Sequence, residues 1–410
     1  MNRVVITGMG VVSPIGNNMK EFWGNIKEGK HGIDNITSFD TTDFPIKVAA
    51  EVKNFDPLLA LDKKETKRTD IYCQYTLEAT RQAIEDCGCD FKEYDPYRVG
   101  VIIGSGIGGM TTENTEYAKF LKKGTRHISP FMIPMMISNM AAGNVAMKYG
   151  FKGTNYAIVS ACATSTHTIG EAFEAIKHGR LDACVAGGAE AVINPFILGG
   201  FHNMKTLTTT DDKDRASIPF DKDRSGFVMG EGAGIVILES LDSALKRNAK
   251  IYAEVVGYGA TADAYHITTP DPTGEAAARA ILDACEEAGI SPDKIDYVNA
   301  HGTSTPINDK YETNTMKVAF KEHAKDLYVS STKSMTGHML GAAGAVEAII
   351  CAKAVHEGFI PMTAGYKNYD EECDLNYVTE KGIEKDFEYA ISNSLGFGGH
   401  NAVVCVKKYK

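Results

Sequence analysis

A chain of 410 residues, 43% hydrophobic and 23% charged, can bury a large core as one big domain or two medium ones. Its formal net charge of −10 argues against nucleic acid as a partner. No segment approaches the roughly 18 uninterrupted apolar residues needed to span a bilayer, so no membrane insertion is expected.

The opening MNRVVITGMGVVSPIG is too short in its apolar part and too glycine-rich for a signal peptide. Nine cysteines without metal-ligand spacing fit a reducing compartment better than a disulfide framework. A cytoplasmic location is the expectation. Val4 to Thr7, Val99 to Ile103, Asn155 to Val159 and Ala183 to Ala186 read as buried strands. Helical spacing runs from Asp70 to Asp86, with Gly88 as the stop. A second helix spans Gly274 to Ala288 and the strand Ile295 to Asn299 follows it. This alternation predicts an α/β protein with mostly parallel strands.

Asn155–Gly179 and Leu327–Gly358 share one order of elements: strand, polar turn, small-residue helix start, amphipathic helix, glycine stop. This predicts two related α/β halves, residues 1–250 and 251–410. The internal match by itself does not separate duplication from chance.

Both turns carry reactive side chains. Cys162 in SACATSTHTIG follows a strand and opens a helix, where free N–H groups and the helix dipole favour an anion. The position predicts a lowered thiol pKa and a usable nucleophile; a small core cysteine would look the same locally. His301 in NAHGTSTPIND lies just past a strand, at the carboxyl end where α/β proteins place their sites. His338 sits among Gly337, Gly341 and Gly344, with Lys333 in the same turn. SNSLGFGGHNA near the C-terminus reads as a glycine-rich hairpin. Each signal alone has an ordinary structural explanation.

In this order, together with VVITGMGVVSPIG and PFDKDRSGFVMGEGAG, the motifs resemble the β-ketoacyl-[acyl-carrier-protein] synthases of the thiolase-like superfamily across essentially the whole chain. The variety is the elongating one with a Cys-His-His trio. Initiating synthases would carry Asn for the second His, thiolases a second catalytic Cys where this chain has GFGGHN, and a GxSxG hydrolase elbow is absent. The resemblance implies a thiolase-like fold whose two halves form five αβαβα layers. It implies an acyltransferase that joins acyl- and malonyl-carrier protein in fatty-acid elongation, with loss of CO2.

Carried over residue by residue, Cys162 would hold the acyl chain as a thioester, and His301 and His338 would donate to the malonyl-derived enolate. The N–H groups of Cys162 and Phe397 would form the oxyanion hole, with Phe397 also a gate. Lys333 would support the site, paired with Glu312, and Thr303 and Thr305 would bind the pantetheine arm. Ile107, Phe201 and Met132 would line the acyl tunnel, Met132 reaching in from the second subunit of a homodimer. Ile107 is the residue that points to the second type of elongating synthase. Lys63, Lys64, Lys67, Arg68 and Lys205 would dock the acidic carrier; as a bare charge run they would be a solvated face. No cofactor is implied beyond a structural Na or K ion at Asn299, Glu347, Ser392 and Asn393. Ser225 departs from the Asp of most members, which bears on the hydrogen bonding of its loop. The competing readings are a degradative thiolase, a discrete polyketide ketosynthase, a non-catalytic chain-length partner, which would lack Cys162, and a cysteine hydrolase.

Overall fold

The computed structural model describes all 410 residues. Ten strands form one sheet: β1 (Val4–Val12), β2 (Val99–Gly104), β3 (Asn155–Tyr156), β4 (Ala183–Glu190), β5 (Gly232–Ser240), β6 (Ala253–Ala262), β7 (Tyr297–Asn299), β8 (Tyr328–Ser330), β9 (Tyr389–Gly396) and β10 (His400–Lys408). Their spatial order is β8-β7-β9-β10-β6-β1-β5-β4-β2-β3. Outward from the β1–β6 seam, each set of five repeats the same order, first-fifth-fourth-second-third. The likeness of Asn155–Gly179 to Leu327–Gly358 is part of that repeat.

The twelve α-helices include α1 (Ile71–Cys87), α2 (Met110–Lys123), α3 (Met140–Tyr149), α4 (Thr164–Lys177), α5 (Glu275–Glu287), α6 (Pro306–Phe320) and α7 (Ala343–Glu357). Helices α4 and α7 pack on each other and touch strands of both halves. Helices α1 and α3 cover the outer face of the first half, and α5, with α6 against it, that of the second. The result is a thiolase-like arrangement of five layers.

Strand periodicity builds this. Along β2, Val99, Val101 and Ile103 enter the outer core under α1, while Ile102 enters the central one. Both faces are covered, so the strand is apolar throughout. Helix α7 is buried almost all round, with Glu347 its one buried acid. Gly88 closes α1 in the left-handed conformation, φ 64°, as a glycine stop requires.

Two expectations need correction. The sheet is not mostly parallel: the six central strands from β9 to β4 pair antiparallel, and parallel pairing is confined to the outer strands. Strands buried on both faces give the same apolar run in either direction, so residue pattern does not encode this. The strand expected over Asn155–Val159 is only Asn155–Tyr156, because β3 ends the sheet and nothing pairs its outer edge.

Candidate active site

Three turns at the carboxyl ends of strands converge on one point. The first follows β3, where Ala161 adopts φ +52°, a conformation costly for a residue with a Cβ. This kink lifts Cys162 into a short 3-10 turn (Ala161–Ala163) that runs into α4. The end of β9 lies directly on it: a Cβ on Gly396 would come within 2.6 Å of the Ser160 carbonyl. That close approach sets the Phe397 and Cys162 backbone N–H groups near the sulfur, where they favour its anion.

The second turn carries His301. The Glu312 carboxylate on α6 accepts from the N–H groups of His301 and Gly302, both at 2.7 Å. The third carries His338, whose N–H donates to the Val228 carbonyl (2.7 Å) and whose own carbonyl accepts from Gly230 N–H (2.9 Å). Its Nε2 lies 3.1 Å from Cys162 Sγ. The two imidazoles stand nearly perpendicular, 5.4 Å between ring centres. The sulfur and one nitrogen of each ring fall within 4.8 Å of one another, all buried.

Burial, assisted by Lys333, holds both histidines well below 6.5, so both are neutral at pH 7. Burial also pushes the Cys162 thiol up to about 12, outweighing Lys333 and the two N–H donors. The lowered thiol pKa expected from the helix start is therefore not found, because desolvation exceeds what a few donors supply. A neutral thiol beside a neutral imidazole can pass its proton only as it reacts. The trio opens onto a cavity of 490 Å³ that Ile107, Phe201, Thr303, Thr305 and Phe397 also line.

Residues 1–244 match the family model for the β-ketoacyl synthase N-terminal domain, and residues 252–367 that for its C-terminal domain. The chain belongs to the β-ketoacyl synthase family. It is similar to 3-oxoacyl-[acyl-carrier-protein] synthase 2 of Staphylococcus aureus (strain COL), at 50% identity over 100% of this chain and 99% of the relative. The synthase of the same name from Coxiella burnetii is 48% identical, over 99% and 98%. Among solved structures, a type II PKS acyl-carrier protein in complex with its ketosynthase bound to the hexaketide gives a TM-score of 0.93 at 33% identity, with both chains fully covered. A β-ketoacyl synthase from Burkholderia phymatum STM815 gives 0.92 at 32%, again over both full chains.

Within this β-ketoacyl synthase the remaining expected residues fall into place unevenly. Lys333 does not pair with Glu312. Its Nζ bonds the Glu347 carboxylate, both nearly fully buried, because Glu312 is already occupied by the His301 loop. Burial raises both carboxyls to about 7. Glu312 is thus fully buried and is not the lysine's partner. Around the pair, Glu347 Oε2, Ser392 Oγ and Asn393 Oδ1 are buried oxygens without partners, and Ser392 faces Asn299 across the β9–β7 ladder. Met132 lies outside the cavity formed by one chain. Lys63, Lys64 and Lys67 are exposed, and Arg68 stacks on Phe131 at 4.5 Å. Lys205 is exposed at the cavity edge. Ser225 also reaches the cavity and bonds Thr208 at 2.8 Å, so its hydroxyl satisfies the loop locally.

Sequence reasoning missed the segment Asp263–Pro270, which supplies Asp263, Thr268, Thr269 and Pro270 to the cavity wall. Gly398 N–H donates to the Ile267 carbonyl and Asp263 N–H to that of Gly399, fastening the segment to the GFGG turn. Its acid sits at the end of β6, the signal that could have found it. Glu190 was missed as well.

Lys333→Met is expected to destabilise the fold by about 3–5 kcal/mol, because it leaves the Glu347 carboxylate buried without its cation. Lys333→Met with Glu347→Leu should recover most of that loss. The folded protein holds the Glu347 proton above its ordinary 4.5. Its favourable contribution is therefore complete below 4.5 and lost as pH rises through the raised value. Denaturant melts should show the Lys333→Met deficit growing from pH 5 to pH 8.

Proposed function

We propose that this chain is an acyltransferase that condenses acyl- with malonyl-carrier protein to give 3-oxoacyl-carrier protein and CO2, in fatty-acid elongation. The observation that carries this is Cys162 Sγ at 3.1 Å from His338 Nε2, with His301 completing a buried trio. Relatives about 50% identical over their whole length favour fatty-acid elongation over the polyketide reading, whose named relative is 33% identical.

In the first half-reaction Cys162 sulfur attacks the thioester carbonyl and its proton passes to His338 Nε2. The N–H groups of Cys162 and Phe397 hold the tetrahedral oxyanion, a contribution of about 3–4 kcal/mol per donor in comparable sites. The carrier thiol leaves with the proton. In the second, malonyl-carrier protein loses CO2 as its C–C electron pair becomes an enolate. His301 donates N–H to that oxygen, and so does His338 once its hydrogen has moved from Nδ1 to Nε2, which is free to carry it after the sulfur is acylated. The enolate carbon then attacks the acyl carbonyl, and Cys162 departs as a thiolate that takes a proton from solvent to restore the resting thiol. Decarboxylation supplies the carbanion, so no dedicated base is needed. Apolar wall residues Ile107 and Phe201 take up the chain, at about 0.8 kcal/mol per buried CH2, and Thr303 and Thr305 take the pantetheine arm.

Glu347, Asn299, Ser392 and Asn393 would hold a Na or K ion, which suits an all-oxygen donor set; three unpartnered buried oxygens support this. The ion would supply fixed positive charge behind Lys333 and no step of the chemistry. Exposed Lys63, Lys64 and Lys67, with Lys205 at the cavity edge, would dock the acidic carrier. A homodimer is supported by the unpaired edge of β3 and by exposed Tyr156, Val159, Leu121 and Ile133; in it, Met132 would reach the partner's tunnel. Light scattering should give twice 44.4 kDa, and a monomer overturns this. Nine free thiols fit the reducing cytoplasm.

The test is intact mass after incubation with acyl-carrier protein, followed by addition of malonyl-carrier protein. The expected result is one acyl adduct, then CO2 and 3-oxoacyl-carrier protein. An enzyme that stays unmodified refutes the reading.

A further inference from the structure

Glu190 closes β4 and is fully buried, yet no lysine or arginine reaches it. A buried carboxylate without a cation is costly unless its oxygens are saturated with donors. Here they are. Oε1 accepts from the Ser105 hydroxyl (2.9 Å) and Ile107 N–H (3.2 Å). Oε2 accepts from Gly106 N–H (2.9 Å) and Gly341 N–H (3.0 Å). The donors come from two turns far apart in sequence. One, after β2, carries Ile107 into the cavity wall; the other carries His338 and Leu340.

The surroundings are shaped for this contact. A Cβ on Gly106 would meet Glu190 Oε2 at 2.7 Å. One on Gly341 would meet the same oxygen at 2.9 Å and Gly106 N at 2.4 Å. Only glycine at both places lets the two backbones share one carboxylate. Burial still holds the Glu190 carboxyl up to about 7, and once ionised its charge opposes the ionisation of Cys162.

We infer that Glu190 is a positioning residue for acyl-chain selectivity, clamping the Ile107 turn to the His338 turn so that the tunnel wall is fixed relative to the reacting sulfur. This rests on the condensing-enzyme reading. The conservative change Glu190→Gln replaces one acceptor oxygen by an NH2 group. The least disruptive placement puts that group at Oε1, where Ser105 can rotate to accept but Ile107 N–H is left facing a donor. The wall residue, not the histidine, is then released.

Rates of acylation by hexanoyl-, decanoyl- and hexadecanoyl-carrier protein test this. In Glu190→Gln the kcat/KM ratio of hexadecanoyl to hexanoyl should rise about tenfold, equivalent to about 1.4 kcal/mol. Ser105→Ala, which removes one donor and keeps the charge, should shift the ratio less, in the same direction. Alkylation of Cys162 by iodoacetamide needs no carrier substrate. Its pH profile should move to lower pH in Glu190→Gln and stay in place in Ser105→Ala. An equal loss for every chain length, or an alkylation profile unmoved by Glu190→Gln, overturns the inference. If Glu190→Gln does not fold, an unchanged ratio in Ser105→Ala overturns it. Wild-type enzyme that takes no acyl chain refutes the condensing reading, and the alkylation arm still reports on Glu190.

Discussion

Cys162→Ala will form no acyl-enzyme, and its condensation rate will fall by on the order of 10⁵, as when the nucleophile of a covalent mechanism is removed. The sulfur is the only nucleophile at the junction of the two imidazoles and the Cys162 and Phe397 N–H groups. Little else moves. The Lys333–Glu347 pair, the Glu312 bonds to the His301 loop and the Glu190 clamp involve no atom of the Cys162 side chain. Both histidines therefore remain in place, and malonyl-carrier protein can still lose CO2. Its enolate, with no acyl acceptor, takes up a proton to give acetyl-carrier protein. The expected signature is CO2 release uncoupled from 3-oxoacyl product, read by parallel assays of both. An acyl adduct on the alanine variant would place the nucleophile elsewhere.

The three reacting groups were legible because each sits beside glycine or small residues at the end of an apolar run, where backbone can turn and side chains can meet. What lay beyond was their environment. Cys162 stands at a helix start, which argues for an easily ionised thiol. Its burial is assembled from the GFGG turn, the His338 turn and the β2 turn, and no local window contains all of these. Lys333 was identified, yet its partner was assigned to the wrong acid. Glu347 carries the better signal, as a lone acid within AGAVEAIICAKAV; such a carboxylate is buried with the face and needs a cation. Glu190 has the same mark, ending ACVAGGAE after seven small or apolar residues. Strand direction left no mark at all. The order of elements, in contrast, was readable in both halves, because helix and strand periodicities differ.

His338→Ala and His301→Ala should separate the two half-reactions. His338 Nε2 touches the sulfur, and the thiol is held up to about 12 by burial, so acylation needs an acceptor for its proton. His301 has no such bond. Removing His301 should cut malonyl decarboxylation by about 10²–10³, as for the loss of one oxyanion donor, with acyl-adduct formation changed only a few-fold. Removing His338 should lower both steps, decarboxylation more. Equal effects of the two variants on acylation would overturn the division of labour. The pH dependence gives a second reading. Burial and Lys333 hold both imidazoles well below 6.5, so in the folded protein they bind protons only at acid pH, whereas unfolded histidines bind near 6.5. Stability is therefore lost as pH falls through the unfolded value, while each remaining native molecule keeps neutral imidazoles. The acid limb of wild-type kcat/KM should fall below pH 6.5, and Lys333→Met should move it upward by removing the nearby charge. A limb at or above the ordinary histidine value in the wild type would mean that the imidazoles are not neutralised by burial, and the enolate would then be held by imidazolium instead.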